Sequence, residues 1–88
     1  MRTEDLYYFQ EVAACRSISH AAEKLYTSQQ NVSRIIHALE KEFSITLFER
    51  HRRGVKLTPA GEAFWQNAQA LLKIYEQMQS LEASQPPS

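Results

Sequence analysis

The sequence predicts a mainly helical fold, with three short helices, a two-stranded hairpin and one long C-terminal helix. Three observations indicate it. Apolar residues recur at the three- and four-residue spacing of a helix in three successive stretches, which Ser and Thr residues separate. Two short strand-like runs then lie on either side of Gly54, as in a hairpin. After Thr58 and Pro59 the helical spacing returns and continues to about Ala83.

Size and composition limit the chain to one small domain. Its 88 residues are 43% hydrophobic, which is enough to form a packed core. No apolar run approaches the length of a membrane span and no signal peptide is recognisable, so we expect no membrane partner. The only cysteine is Cys15, which excludes an internal disulfide and fits a reducing compartment. We therefore expect a cytoplasmic location.

Capping residues delimit the first two helices. Thr3 is a candidate N-cap because two acidic residues follow it, and acidic side chains stabilise the first turn of a helix. This helix should end near Cys15. Either Ser17 or Ser19 can cap the start of the second helix, because both are short hydroxyl side chains that accept a backbone hydrogen bond.

A tight turn is predicted between the second and third helices. Ala21 and Ala22 lie on the inner face of the second helix, where small side chains allow close packing of helices. Thr27 and Ser28 interrupt the apolar pattern and offer a new cap, so the third helix should run from about residue 29 to residue 43. Only about three residues then separate the two helices, as in a helix-turn-helix motif.

The chain changes character after the third helix. Residues 47–50 and 55–57 are typical of short strands, with Gly54 at the bend between them. Thr58 followed by Pro59 is typical of an N-cap and the first position of a helix. The whole order of elements is that of a winged helix-turn-helix followed by a long helix, in which the hairpin is the wing.

This order predicts three segments. Residues 1–58 form the winged helix-turn-helix, and residues 59–83 form a linker or dimerisation helix. Residues 84–88, which include two consecutive prolines, form a flexible tail.

The third helix has one apolar and one polar face. At 100° per residue its apolar side chains share one side, and this set is Val32, Ile35, Ile36, Leu39 and Phe43. The opposite side carries Gln30, Ser33, Arg34, His37 and Lys41. Gln, Asn and Arg side chains hydrogen-bond base edges in the major groove, Arg to guanine and Gln or Asn to adenine. Taken alone, this face is equally consistent with a solvated helix that binds nothing. The short turn before the helix and the basic hairpin after it favour DNA binding.

Charge along the chain is uneven although the total is zero. Residues 24–56 carry seven basic and three acidic residues, a net charge of +4, whereas the segments before and after it each carry −2. The densest cluster includes Arg50, Arg52 and Arg53 in the hairpin, where arginines can reach phosphates or a narrow minor groove. An exposed hairpin can also be charged only to stay unpaired. Three arginines in four residues favour the binding interpretation, but Arg50 is left out of the predicted contacts because it can instead pair with Glu49 or pack at the base of the wing.

The long helix has an apolar seam. Its members recur at alternating four- and three-residue intervals, as in a coiled coil, and they are Phe64, Ala68, Leu71, Tyr75 and Met78. Trp65 and Leu72 widen this seam beyond what three short helices need to cover. We therefore predict a homodimer through residues 59–83, and include Leu72 in its interface. The alternative is that the seam folds back on its own domain.

No pattern indicates catalysis, a metal site or a cofactor. The His residues and Cys15 lack metal-ligand spacing, and Cys15 is most simply a small core or boundary residue. Gly54 and Gly61 do not form a phosphate-binding loop. We predict that the chain is not an enzyme and carries neither a metal nor a cofactor.

Several motifs follow one another along the chain at definite spacing. They are Leu6, Phe9 and Val12, then residues 17–25, then residues 28–40, then residues 47–50, and then Leu57, Thr58 and Gly61. In this order they closely resemble the N-terminal domain of LysR-type transcriptional regulators, over about residues 4–80. The resemblance implies a winged helix-turn-helix with its third helix in the major groove, its wing at the neighbouring minor groove, and a linker helix that pairs antiparallel with that of a second copy.

DNA contacts of this family map onto Gln29, Ser33 and Arg34 of the third helix and onto Arg53 of the wing. The chain departs from the family at two positions. Where its members commonly have proline or serine, and then a small apolar residue, this chain has Gln30 and Asn31. Both are side chains that can read adenine. Full-length members also carry a larger C-terminal domain that senses a small molecule, so an effector is expected only through a domain that this chain does not contain.

The main hypothesis is therefore sequence-specific binding of double-stranded DNA by a dimeric bacterial transcription regulator. The predicted contact residues are Ser28, Gln29, Gln30, Asn31, Ser33, Arg34, His37, Arg52 and Arg53. The alternative is a helical protein–protein interaction module that binds no DNA, which the zero net charge and the apolar seam also allow.

Overall fold

The structure, a computed structural model, describes residues 1–84, and the side chains of residues 1–81. It contains four helices and one two-stranded antiparallel sheet. The elements in chain order are α1 (Thr3–Cys15), α2 (Ile18–Lys24), α3 (Gln29–Phe43), β1 (Phe48–His51), β2 (Gly54–Leu57) and α4 (Pro59–Ser84). The predicted mainly helical fold with a hairpin is confirmed. The predicted tail at 84–88 lies outside the described residues, apart from Ser84, which closes α4.

Helix α1 begins one residue earlier than its predicted cap implies. Arg2 is the N-cap and Thr3 is already helical, so the prediction of Thr3 as the cap is wrong. The carboxylate of Asp5 accepts a hydrogen bond from the backbone N–H of Arg2 at 3.0 Å, and this contact fixes the start of the helix. The helix ends at Cys15, where Arg16 adopts the left-handed conformation with φ 55°.

Serine caps set the bounds of the helix-turn-helix. Ser17 Oγ accepts a hydrogen bond from the His20 N–H at 3.1 Å, so Ser17 rather than Ser19 begins α2. Ser28 Oγ accepts one from the Asn31 N–H at 3.0 Å and begins α3. The link between the helices, residues 25–28, is one residue longer than predicted. It contains Tyr26, which has a φ of 54° and is 97% exposed.

The strands of the wing differ by one residue from their predicted bounds, since β1 lies one residue later and β2 begins one residue earlier. Phe48 pairs with Leu57 and His51 pairs with Gly54, so Arg52 and Arg53 form the turn and Gly54 already belongs to β2. The prediction of Gly54 at the bend is wrong, because the glycine is needed in β2, where the strand packs against α1. Gly54 passes so close to the end of α1 that an added Cβ would lie 2.2 Å from the Arg16 carbonyl oxygen.

Aromatic side chains of three elements meet in the core. The Phe9 ring is fully buried and lies 5.4 Å from the Phe48 ring and 5.1 Å from the Phe64 ring, centroid to centroid. The two alanines of α2 are also buried, as predicted. Phe43, predicted to be in the core, is 41% exposed because it is the last residue of α3 and packs on one side only, against Phe64 at 5.0 Å.

Helix α4 is anchored at its first turn. The Thr58 hydroxyl accepts a hydrogen bond from the Gly61 N–H at 2.8 Å and donates one to the Thr46 carbonyl, which confirms Thr58 as the cap. Farther along, Ala68 and Leu72 are buried in the common core. The Tyr7 hydroxyl donates a hydrogen bond to Glu76 at 2.9 Å, and this bond raises the pKa of Tyr7 above its usual value. The first half of α4 thus completes the core of the residues before it.

Candidate nucleic-acid interface

The two faces of α3 differ as its sequence predicts. The four apolar residues Val32, Ile35, Ile36 and Leu39 are buried. On the other side Gln29, Gln30, Arg34 and His37 are exposed, and Asn31 and Ser33 are half-buried. The predicted contact residues of α3 therefore share one accessible surface, which we call the α3 polar face and define as these six side chains together with Ser28.

Two side chains of this face have all their polar atoms available. The amides of Gln29 and Gln30 make no side-chain hydrogen bond within the described part of the chain. Each amide offers one acceptor and two donors, the set that pairs with an adenine edge. Both residues lie in the first turn of α3, where the helix also presents backbone N–H groups that suit a phosphate.

The nitrogen and the oxygen of the Asn31 side-chain amide are both hydrogen-bonded. Its Nδ2 donates a hydrogen bond to Thr27 Oγ1 at 3.0 Å, and its Oδ1 accepts one from the Arg34 guanidinium at 2.7 Å. No sequence pattern indicates this network, because a spacing of three or four residues on a helix shows proximity and not which atoms pair. Arg34 is therefore exposed but held by its neighbour.

The wing presents its arginines at the turn. Arg52 and Arg53 are exposed between the two strands, and the Arg53 N–H donates a hydrogen bond to His51 Nδ1 at 3.3 Å. Glu49 forms its ion pair with Lys56 across the strands, at 3.9 Å, rather than with Arg50. Arg50 is thus left exposed at the side of the wing, with its guanidinium available to a ligand.

The wing and the helix-turn-helix meet at a shallow crevice of about 260 Å³. Gln29 from α3, Ser19 from α2, and Arg50 and Arg52 from the wing all line it. The sequence predicts Gln29 and Arg52 as contact residues and leaves out Ser19 and Arg50. Only the position of the wing beside α2 shows that these two belong with the others, because they are distant from each other along the chain.

Four arginines of α3 and the wing are exposed without an acidic partner. Among the side chains of residues 1–81, Arg34, Arg50, Arg52 and Arg53 form no ion pair, and neither do Arg16, Lys41 and Lys73, whereas Arg2, Lys24 and Lys56 are each paired with a glutamate. Unpaired exposed guanidinium groups raise the local potential and suit phosphate oxygens. Exposed positive charge is therefore available on α3 and the wing, although the total charge of the chain is zero.

Helix α4 divides the predicted dimer residues between two environments. Ala68 and Leu72 are 4% and 3% exposed in a single chain, and Phe64 packs its ring edge-on against Phe9. Leu71, Tyr75 and Met78 are instead 42%, 37% and 62% exposed. Two further apolar side chains that the heptad spacing passed over, Ile74 and Leu81, are 58% and 61% exposed. The exposed apolar stripe of α4 consists of these five residues, Leu71, Ile74, Tyr75, Met78 and Leu81.

The described part of the chain has the features of neither a membrane-spanning segment nor a metal site. Across residues 1–84 no helix has the length and apolar content needed to cross a bilayer. Over the same residues no three His, Cys, Asp or Glu side chains gather as a metal site would require. Cys15 is partly buried and donates a hydrogen bond to Glu11 at 3.4 Å, and its burial raises the pKa of the thiol.

Residues 3–62 match the family described as bacterial regulatory helix-turn-helix protein, lysR family. The HTH-type transcriptional regulator TfdS of Cupriavidus pinatubonensis is 45% identical over 74 residues, which are 84% of this chain and 25% of TfdS. The regulator YofA of Bacillus subtilis is 44% identical over 77 residues, which are 88% of this chain and 27% of YofA. The chain thus spans about a quarter of the length of the curated relatives it matches.

Solved structures of the same family share the fold. BenM_DBD in its complex with catB site 1 DNA is similar with a TM-score of 0.89 and 42% identity, over 94% of this chain and 89% of that one. CbnR, a LysR family transcriptional regulator, is similar with a TM-score of 0.90 and 33% identity, over 96% of this chain and 29% of that one. The winged helix-turn-helix predicted from the sequence is confirmed. The chain belongs to the lysR family of bacterial regulatory helix-turn-helix proteins.

Proposed function

We propose that this chain binds double-stranded DNA sequence-specifically and is the DNA-binding part of a transcription regulator that acts as a homodimer. The observation that carries this proposal is the α3 polar face, on which Gln29, Gln30 and Arg34 stand exposed beside an arginine-bearing wing. DNA is the partner in the solved complexes of BenM_DBD and CbnR_DBD, which are 42% and 34% identical to this chain. The protein–protein module without DNA binding has no comparable support.

In this function α3 enters the major groove. Arg34 offers two parallel N–H donors to the O6 and N7 acceptors of guanine, and Gln29 and Gln30 each match the acceptor and donor of adenine. Ser28, Ser33 and His37 border these side chains and can reach bases or phosphates. Arg34 and the two glutamines therefore supply most of the sequence preference.

The wing arginines have a different role. Arg50 and Arg52 share a crevice with Gln29 of the first turn of α3, and Arg53 lies at the turn of the wing. They neutralise phosphates or enter the adjacent minor groove, where a narrow groove concentrates negative potential. Such contacts fix the position of α3 on the duplex but read little sequence.

Pairing of two chains is proposed through α4. The exposed apolar stripe is the part of this helix that the core leaves uncovered, and a second copy of the same helix would cover it. A two-fold dimer presents two copies of α3 to two related half-sites. We place no catalytic step and no cofactor in this function, and a small-molecule effector would act through another domain. Bacterial DNA lies in the cytoplasm, where we propose that the chain works.

The salt dependence of binding tests the proposal. For wild type on a specific duplex, log K should fall steeply with log salt, by about 0.9 for each phosphate neutralised. Arg34→Ala should cost about 1–3 kcal/mol on that duplex and little on a mixed-sequence duplex, because it removes a base contact. Arg52→Ala should weaken binding to both and lower the slope by about one.

The matched control is Lys73→Ala, which removes one exposed positive charge from α4, away from the α3 polar face and the wing. It should leave both the affinity and the slope close to wild type. Unchanged binding in the Arg34 and Arg52 variants would contradict the proposal. A stable dimer that ignores every duplex at low salt would instead support the protein–protein alternative.

A further inference from the structure

Asn31 lies in the first turn of α3 between the helix-turn-helix turn and the candidate base-reading arginine. Its Nδ2 donates to the hydroxyl of Thr27, which lies in the turn, at 3.0 Å. Its Oδ1 accepts from the guanidinium of Arg34, one helical turn ahead, at 2.7 Å. The amide thus connects a residue outside the helix to a residue on the α3 polar face.

The chemistry of the three groups fixes the orientation of this amide. A guanidinium has five N–H donors and no acceptor, so only the oxygen of Asn31 can face Arg34. The NH₂ group must then face Thr27, whose hydroxyl oxygen can accept. A reversed amide would place donors against donors beside Arg34. The observed arrangement satisfies both ends of the amide at once, and Asn31 is half-buried in it.

The hydrogen bond to Asn31 restricts the conformations of the Arg34 side chain. Its bond to Asn31 is short and charge-assisted, which is the stronger class of hydrogen bond. One N–H of the guanidinium is used, and four of its five remain for a base. A long side chain that is already ordered loses less entropy when it binds, and this saving is worth about 2- to 10-fold in affinity.

We propose that Asn31 is a positioning residue that aims Arg34 at a base edge, with Thr27 as its anchor, and that Asn31 reads no base itself. The proposal rests on the proposed DNA binding. If Asn31 instead read adenine, as its residue type suggests, its amide would have to give up the bonds to both Thr27 and Arg34. With Asn31 held by Thr27 and Arg34, adenine in the first turn is read by Gln29 and Gln30, whose amides make no such bonds among the described residues.

A first measurement needs no DNA. Side-chain ¹⁵N relaxation at Nε reports how ordered Arg34 is on the picosecond to nanosecond timescale. Asn31→Ala and Thr27→Val should both increase the mobility of Arg34, because each breaks one link of the chain Thr27–Asn31–Arg34. Thr27→Ser retains the hydroxyl and should keep Arg34 as ordered as in wild type. Equal order of Arg34 in all four proteins would overturn the proposal.

A second measurement uses a specific duplex and its variant in which the guanine opposite Arg34 is replaced. Wild type should discriminate between the two by on the order of 10- to 100-fold. Asn31→Ala should lower this ratio by about 2- to 10-fold, since it loses only the ordering of Arg34. In the Arg34→Ala background, Asn31→Ala should change nothing further. Asn31→Ala keeps the hydrogen bond from the backbone N–H of residue 31 to Ser28 Oγ, so α3 retains its N-cap.

The possible results separate the two proposals. If Asn31→Ala alters the preference at a different base pair, or if its effect adds to that of Arg34→Ala, Asn31 reads a base and its positioning role is wrong. If Asn31→Ala leaves the ratio at wild-type level, the tether has no role in discrimination. A wild-type chain that distinguishes no duplexes overturns the proposed function itself, and the role of Asn31 with it.

Discussion

Gly54 lies where the wing meets the end of α1. Its φ is 143°, a backbone conformation that favours glycine, and an added Cβ would lie 2.2 Å from the carbonyl oxygen of Arg16. The next residue, Val55, donates its N–H to the same carbonyl at 3.1 Å. This single glycine therefore permits the contact that holds the arginines of the wing beside α3.

Replacing Gly54 should loosen the wing. We expect Gly54→Ala to lower the free energy of unfolding by about 1–3 kcal/mol, because the side chain meets a backbone oxygen and the φ is unfavourable for alanine. Urea denaturation followed by circular dichroism measures this. Lys56→Ala, an exposed position on the same strand, serves as control and should change stability by less than about 0.5 kcal/mol. A Gly54→Ala chain as stable as the control would contradict the packing described for the wing.

At the scale of elements, most boundaries could be predicted because short polar side chains mark them. Ser28 and Thr58 are N-caps where the sequence suggests them, and Ser17 is one of its two candidates. The start of α1 could not be predicted from capping residues, because it is fixed by the backbone N–H of Arg2, which donates a hydrogen bond to the side chain of Asp5. The residue type of Gly54 predicts a position at the bend, whereas the structure places it in β2, where its close approach to Arg16 requires a glycine.

The interface side of α4 could not be predicted from spacing alone. A heptad pattern arises whether a helix packs on its own domain or on a partner, since both need apolar residues on adjacent turns. The structure separates the two kinds of apolar residue, because Ala68 and Leu72 lie in the core whereas Leu71 and Met78 are exposed. The same limit applies to Asn31, whose pairing with Thr27 and Arg34 depends on side-chain geometry.

The exposed stripe of α4 leads to a test of dimerisation. Leu71→Glu and Tyr75→Glu each place a charge on an exposed apolar position, and burial of that charge between two helices would be costly. We expect both variants to sediment as monomers. Ser80→Glu adds the same charge on the opposite side of α4, about 180° from Leu71 at 100° per residue, and should remain dimeric. Dimers that persist in both stripe variants would exclude this face as the interface.

At the scale of the whole molecule, shape and charge act together. The described chain measures 55 × 26 × 19 Å, because α4 extends beyond the compact part that carries α3 and the wing. The net charge is positive in the middle of the chain, residues 24–56, and negative in the segments before and after it. In the proposed function this charge distribution attracts a duplex to the α3 polar face and the wing, and the exposed stripe of α4 pairs with a second copy.

The most direct test is the selection of bound sequences from a random duplex pool. It tests whether two copies of α3, presented by a dimer, read the DNA sequence. Wild type should enrich one motif made of two related half-sites, because a two-fold dimer presents two copies of α3. Arg34→Ala should enrich the same motif with the preference at one base pair lost in each half-site. A pool that shows no enrichment with wild type, or a motif that Arg34→Ala leaves unchanged, would contradict the claim.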